Sequence, residues 1–229
     1  MAFNHGSKAR ALLNGFDVSA YLSSMAMAGS METADVSVMG NTAKQFVTGL
    51  MAASITFDGK FDPAEDVVLA AAMSAGASYD ELLYFPSGYG TIGNSVYGFE
   101  GFNTAYNIDT SVSDAAKWTG TLESTTGFER GALLHPYQAE VAGGNSTGFD
   151  QTTVSTTNGG VGFLNASAGA TLIVKIQDSA DNSAFADILT FSTLSAAGAQ
   201  RSVIAGTVRR YVRCLWTGTG TFAASFVRR

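Results

Sequence analysis

Ala53-Ser54-Ile55-Thr56-Phe57-Asp58-Gly59-Lys60-Phe61 alternates between apolar or small residues and polar ones. Successive side chains of a β-strand point to opposite faces. The run therefore predicts a strand with Ile55, Phe57 and Phe61 in a core and Ser54, Thr56, Asp58 and Lys60 in water. One dry face and one wet face is the habit of antiparallel sheets. Immediately after it, Asp62 is placed to cap a helix, Pro63 to begin it, Glu65 to complete a capping box and Gly76 to stop it. Val67, Val68, Ala71 and Ala72 would share the face that lies on the sheet, giving one helix over about 63–75.

Outward from this core the chain reads as short strands and turns. On the N-terminal side, Ala9–Leu13, the turn Asn14-Gly15 and Phe16–Leu22 form a hairpin signal, and a strand follows at Ser24–Gly29. Met31–Leu50 shows no sustained period and reads as a long loop. Its apolar residues Met39, Phe46, Val47 and Leu50 need a partner to leave water, which makes them a candidate subunit interface. On the C-terminal side, Leu82–Phe85, Val96–Ile108 and Lys117–Glu123 read as strands, with a turn at Pro86-Ser87-Gly88. Ala142–Gly160 is rich in Gly, Ser, Thr and Asn and reads as a linker. Leu172, Val174 and Ile176 then open a second series of strands, up to Thr221–Val227. The expected fold is mainly β: two packed β-sheets flanked by one α-helix over 1–141, a linker at 142–160, and a C-terminal β-sandwich domain over 161–229.

Composition agrees with a surface made for contact. The chain has 229 residues, of which only 14% are charged, against roughly 25% in ordinary soluble domains. Net charge is −6, divided as −9 over 1–149 and +3 over 150–229. An acidic body argues against tight DNA binding, which needs clustered cations on phosphates. The single cysteine, Cys214, has no disulfide partner and sits in the apolar run Val208–Trp216, so a buried thiol is expected. The first residues show no secretory signal, and no apolar run of about 18 residues supplies a membrane anchor.

No constellation for catalysis emerges, so the chain reads as a non-enzyme with no cofactor and no metal. His5 and His135 stand apart, outside any ligand spacing, and read as loop or surface residues. Asp178–Ser183 lacks the Gly and closing Glu of a calcium loop and reads as an Asx-type turn. Glu65-Asp66 and Asp80-Glu81 read as structural carboxylates. Gly88-Tyr89-Gly90-Thr91-Ile92-Gly93 matches a dinucleotide-binding string without its strand–turn–helix context. Arg209-Arg210-Tyr211-Val212-Arg213 splits its cations between two faces of a strand, which favours a solvated face or an acidic partner over nucleic acid.

Asn14-Gly15-Phe16-Asp17-Val18-Ser19-Ala20-Tyr21-Leu22, then Thr33-Ala34-Asp35 through Gly40-Asn41-Thr42-Ala43-Lys44-Gln45-Phe46-Val47-Thr48-Gly49-Leu50, then Ser54–Phe61, follow one another in an order that resembles the tail tube proteins of long-tailed, siphovirus-like bacteriophages. Leu82–Gly88 and Glu123–Gly131 continue the likeness, which covers about 1–140; residues 150–229 resemble a β-sandwich appended to some phage tail proteins. The resemblance implies six subunits closing into a ring, rings stacking into a tube, and partnership with other tail proteins. It further implies a place in the virion tail after assembly in the host cytoplasm, with DNA as cargo that passes during ejection. Its bridging loop coincides with Met31–Leu50. Ser54, Thr56, Asp58 and Lys60 are then candidate lumen-facing residues. A carbohydrate- or protein-binding β-sandwich module is the alternative.

Overall fold

The computed structural model describes residues 6–40, 42–64, 66–67, 70 and 80–229. Its strands are β1 (Arg10–Leu13), β2 (Phe16–Asp17), β3 (Leu22–Asp35), β4 (Phe46–Lys60), β5 (Asp80–Phe85), β6 (Ser95–Asp109), β7 (Lys117–Ser124), β8 (Glu129–Glu140), β9 (Gly144–Asn145), β10 (Phe149–Asp150), β11 (Gly160–Ser179), β12 (Ala186–Thr190), β13 (Gly198–Ile204) and β14 (Tyr211–Arg228). The mainly β class expected from the sequence is what the chain adopts. Two compact units share these strands: Met1–Ala20, Asp80–Phe99 and Glu129–Arg229 form one, and Tyr21–Tyr79 with Glu100–Phe128 form the other.

In the first unit the ladder runs β12-β11-β14-β8-β6-β5-β1-β2. β11 and β14 pair antiparallel from Gly160↔Arg228 to Ser179↔Tyr211, with register shifts at Ala166/Ala168 and Ala170/Ile173. Such bulges bend a strand pair sharply. The bend lets one half of the pair pack on the other: Leu164, Ala166, Phe222, Ala224 and Phe226 share a core with Leu172, Val174, Ile176, Val212, Cys214 and Trp216. The packed layers of the expected sandwich thus come from one ladder folded over itself.

The opposite side of the same half-strands is also buried. Val161, Phe163, Ala223 and Val227 join Leu12, Leu83, Phe85, Val96 and Leu133 in a second core. A sheet dry on both faces needs apolar or small residues at every position, and Gly160–Ala166 and Phe222–Val227 are buried throughout. The segment expected to be a separate sandwich is therefore the middle layer of a larger body. The division into 1–141 and 161–229 does not follow the compact units, because β8 pairs directly with β14 from Ala132↔Phe226 to Glu140↔Gly220. The expected linker is likewise structured: β9 and β10 pair with β14, the Ser146 amide donates to Cys214 O, and Trp216 Nε1 donates to Ala142 O. Gly and Thr there make turns against a sheet, with no loss of order.

The Asn14-Gly15 turn forms as read, with φ of 50° and 88°. A side chain at Gly15 would place its Cβ 2.2 Å from Ala166 O, so only glycine fits. Charge inside this unit is compensated. Glu129, 7% exposed, accepts hydrogen bonds from Arg201 Nε at 2.7 Å and Arg229 at 2.6 Å. Each contact is charge-assisted, and the pair of arginines answers the cost of burying the carboxylate. His135, read above as a loop or surface residue, is instead 1% exposed. Its ring stacks on Phe222 with centroids 4.1 Å apart and meets Trp216 edge-on at 4.5 Å. The aromatic neighbours lie on β14, distant in sequence, so His135 gave no local sign of burial.

The second unit orders its strands β3-β4-β7-β6, all antiparallel. Ile55 and Phe57 are buried beside Trp118 and Leu122, while Thr56, Asp58 and Lys60 face out and Ser54 is half-buried, as the alternation predicts. Gly59 is required by Trp118, whose Nε1 would lie 2.3 Å from a Cβ at that position. The helix begins where expected, with Asp62 Oδ1 accepting the Ala64 amide at 2.8 Å and Pro63, Ala64, Asp66, Val67 and Ala70 helical, but Val67, expected on the face against the sheet, is 69% exposed. Glu65, Val68, Ala71, Ala72 and the stop at Gly76 lie outside the described residues, as does His5.

Met31–Leu50 is not a long loop. β3 and β4 extend their pairing as far as Asp35↔Phe46, leaving only residues 36–45 to connect them. A register shift between Met31 and Thr33 breaks the alternation, which is why neither a period of 2 nor one of 3.6 shows in the sequence.

Candidate functional site

The four residues read as an interface, Met39, Phe46, Val47 and Leu50, are gathered on one feature. β7 pairs with β4 only from Ser54 to Lys60. Beyond that, among the described residues, β4 from Phe46 to Ala53 has β3 as its sole ladder partner. Eight residues at about 3.3 Å each make a two-stranded arm roughly 25 Å long. Met39 at its tip is 107% exposed, Phe46 56%, Val47 55% and Leu50 79%. Phe46 pairs with Asp35 and its neighbour Val47 with Ala34, so the two apolar side chains occupy opposite faces of the ribbon.

The arm is held in shape at its turn. The Ser37 amide donates to Asp35 Oδ1 at 2.9 Å, and Ser37 Oγ accepts the Gln45 amide at 2.8 Å. The hydrogen bonds from Ser37 keep the Asp35 carboxyl below the usual carboxylate range. Lys44 lies 3.9 Å from Asp35, an exposed pair of little energetic weight. A two-stranded hairpin is at best marginal in water without a third surface.

Sequence reasoning did not single out Met31, Val36, Val38, Met51 or Phe128. The first four are exposed on the same arm. Phe128 packs at its base, where a Cβ on Gly29 would approach its ring to 2.9 Å, and a groove of about 420 Å³ runs between Met27, Met31, Met51 and Phe128. Met31 and Met51 face each other across the ladder. Their spacing in sequence carried no signal because pairing depends on the length of the turn.

Ser54, Thr56, Asp58 and Lys60 are brought together on the opposite surface from Ile55 and Phe57. Their cross-strand partners are Glu123, Thr121, Thr119 and Lys117 on β7, and these extend a polar carpet. Ser24 Oγ donates to Asp58 Oδ2 at 2.8 Å. Lys117 and, more distantly, Lys60 bracket Asp114, and the hydrogen bond from Lys117 holds the Asp114 carboxyl below its ordinary range. Both signs of charge are present on this surface, with Lys60 and Lys117 paired to Asp114.

The remaining candidate chemistry is absorbed by structure. Arg209 binds Asp178, Arg210 binds Asp150, and Arg213 donates to Gln177 and covers the Phe185 ring at 4.0 Å. The acidic partner expected for this run is thus largely internal. Asp181 forms the Asx-type turn, its carboxyl pulled down to about 2 by Ser179 Oγ and the amides of Ser183 and Ala184. Asp66 accepts the Tyr106 hydroxyl and Glu81 accepts the Arg201 amide. Gly88 and Gly93 are turn residues at φ 83° and 88°. Burial raises the pKa of the Cys214 thiol far above its ordinary value. Among the described residues, no group of three His, Cys, Asp or Glu is placed to hold a metal ion, and no helix is long and apolar enough to cross a membrane.

No protein-family model matches the chain, and no curated protein matches it. Among solved structures, similarity is found to a protein in the virion of a native gene transfer agent particle, at 17% identity and TM-score 0.45, covering 56% of this chain and 98% of that one. A second is the SPP1 tail tube, at 8% identity and TM-score 0.44, covering 55% of this chain and 77% of that one. A third is the SPP1 Dit protein, described as a hub adsorption apparatus of phages infecting Gram-positive bacteria. It is 9% identical with TM-score 0.38, covering 96% of this chain and 98% of that one.

Proposed function

We propose that this chain is a structural subunit of a phage tail tube, associating with copies of itself into stacked rings of six and with other tail proteins. The observation that carries the reading is the β3–β4 arm. It leaves Met31, Met39, Phe46, Val47, Leu50 and Met51 in water on a ribbon that, among the described residues, has no third strand. Exposed apolar groups concentrated on one element call for a protein partner. The order of sequence segments over about 1–140 supports the same role. A repeated heterologous contact closes into a ring when its rotation closes, so one arm and one receiving surface suffice for each ring.

In this reading the polar carpet around Ser54, Thr56, Asp58 and Lys60 lines the bore. Its balanced charges neither hold phosphates by counterion release nor repel them strongly, which suits DNA that must pass without sticking. The subunit works passively, as a wall, in the virion tail. Electron microscopy of the purified full chain tests the proposal: hollow tubes or six-fold rings are expected, and monodisperse monomers at high concentration would refute it.

A further inference from the structure

A polar groove in the first unit has the make-up of a small-ligand site. Its volume is about 420 Å³, and Gly93, Ser95, Arg130, Phe149, Thr152 and Arg228 are among its lining residues. That size falls in the lower part of the roughly 300–1,000 Å³ range of ligand pockets. Two glycines shape it. A Cβ on Gly93 would sit 2.6 Å from the Phe149 ring, and one on Gly131 would sit 2.3 Å from Phe226 O. The wall is therefore aromatic on one side and backbone beneath.

The charges around it are unbalanced. Arg130 donates to Ser95 Oγ at 3.1 Å, and among the described residues no carboxylate lies within ion-pair distance of it or of Arg228. Arg228 is anchored by the carbonyls of Thr153, Val154 and Val208. Asp150, the acid at the rim, already accepts from Arg210 through Nε and one terminal nitrogen. Every other arginine of the β14 region has an acidic or amide side chain as partner, so the two at the groove stand apart.

Phe149 is the half-buried aromatic of the lining, held against Gly93 and paired with Val212 on β14. A half-buried aromatic ring beside a guanidinium and hydroxyls offers both an apolar platform and oriented donors. A sugar presents C–H faces to the first and hydroxyls to the second, and a carboxylate on the sugar would answer the Arg130 guanidinium. We propose that this groove binds an acidic saccharide, with Arg130 engaging its carboxylate, Ser95 its hydroxyls, and Phe149 its ring. A nucleic acid would need a longer run of cations than two.

Saturation-transfer NMR on the full chain, with D-glucuronate as the probe and D-glucose and acetate as comparisons, tests this. Transfer to glucuronate should exceed transfer to glucose, and acetate at equal concentration should displace little of it. Arg130→Ala, at an exposed position, should weaken glucuronate binding at least about tenfold, the loss expected for a charge-assisted contact. Absence of transfer to glucuronate, equal transfer to glucose, complete displacement by acetate, or unchanged binding in Arg130→Ala would each overturn the proposal.

Discussion

Replacing Phe46 and Val47 together by Ser removes two apolar side chains from the arm without touching either core. Full burial of such a side chain contributes about 1.5–3 kcal/mol. With 56% and 55% of each residue exposed in the free subunit, roughly half of that remains to be gained on assembly. The double variant should therefore lose about 2 kcal/mol per contact, on the order of a 30-fold rise in the concentration at which tubes appear. Sedimentation across a dilution series gives that concentration, and electron microscopy of the pellets confirms tubes. Circular dichroism and the thermal midpoint should match the parent, because neither residue is in a core. A folded variant that assembles at the parental concentration would show that the arm does not make the contact.

Changing Ser54, Thr56 and Asp58 to Lys should yield particles that eject DNA slowly at low salt and recover at high salt, since screening weakens phosphate attraction; ejection unchanged at low salt would place that face outside the bore. Glu129→Ala removes the buried carboxylate that receives both Arg201 and Arg229, so stability should fall by about 3 kcal/mol, read as a drop in the chemical-denaturation midpoint. Burial depresses the pKa of His135 below its ordinary value, against the opposing pull of Glu140. The unfolded chain then binds the proton more readily, so His135 contributes stability that is present above about pH 6.5 and lost as pH falls through the folded value. Denaturation of the parent and of His135→Phe at neutral and mildly acidic pH should show the difference shrinking in the variant.

The features legible in the sequence are those fixed by neighbours in the chain. Ile55 and Phe57 announce a half-buried strand by alternation, Asn14-Gly15 announces its turn by the φ it demands, and Asp62 announces a cap. The apolar residues of the arm were also visible, although their backbone was not: the shifted register near Met31 erases the period that would have revealed two strands. The body escaped detection for a different reason. Gly160–Ala166 and Phe222–Val227 are buried on both faces, and only pairing over a long sequence separation shows that β8 and β14 are neighbours. The groove at Arg130 draws residues from four distant segments, and no spacing in the chain announces it.

The first unit takes its strands from three separate stretches, with β14 in its middle layer between two cores. That layout sets an order in time. During synthesis, at about 5–20 residues per second, β1, β5 and β8 emerge many seconds before the strand that covers them. The arm's own hairpin joins residues close in sequence and can pair early, whereas the body waits for non-local contacts that form slowly. Until β14 arrives, Leu133, Leu134 and the strands beside them lack half of their cover. A nascent subunit thus carries a folded hook before it has a finished body, so shielding that body until β14 is released is the step at which chaperone protection during synthesis would matter most.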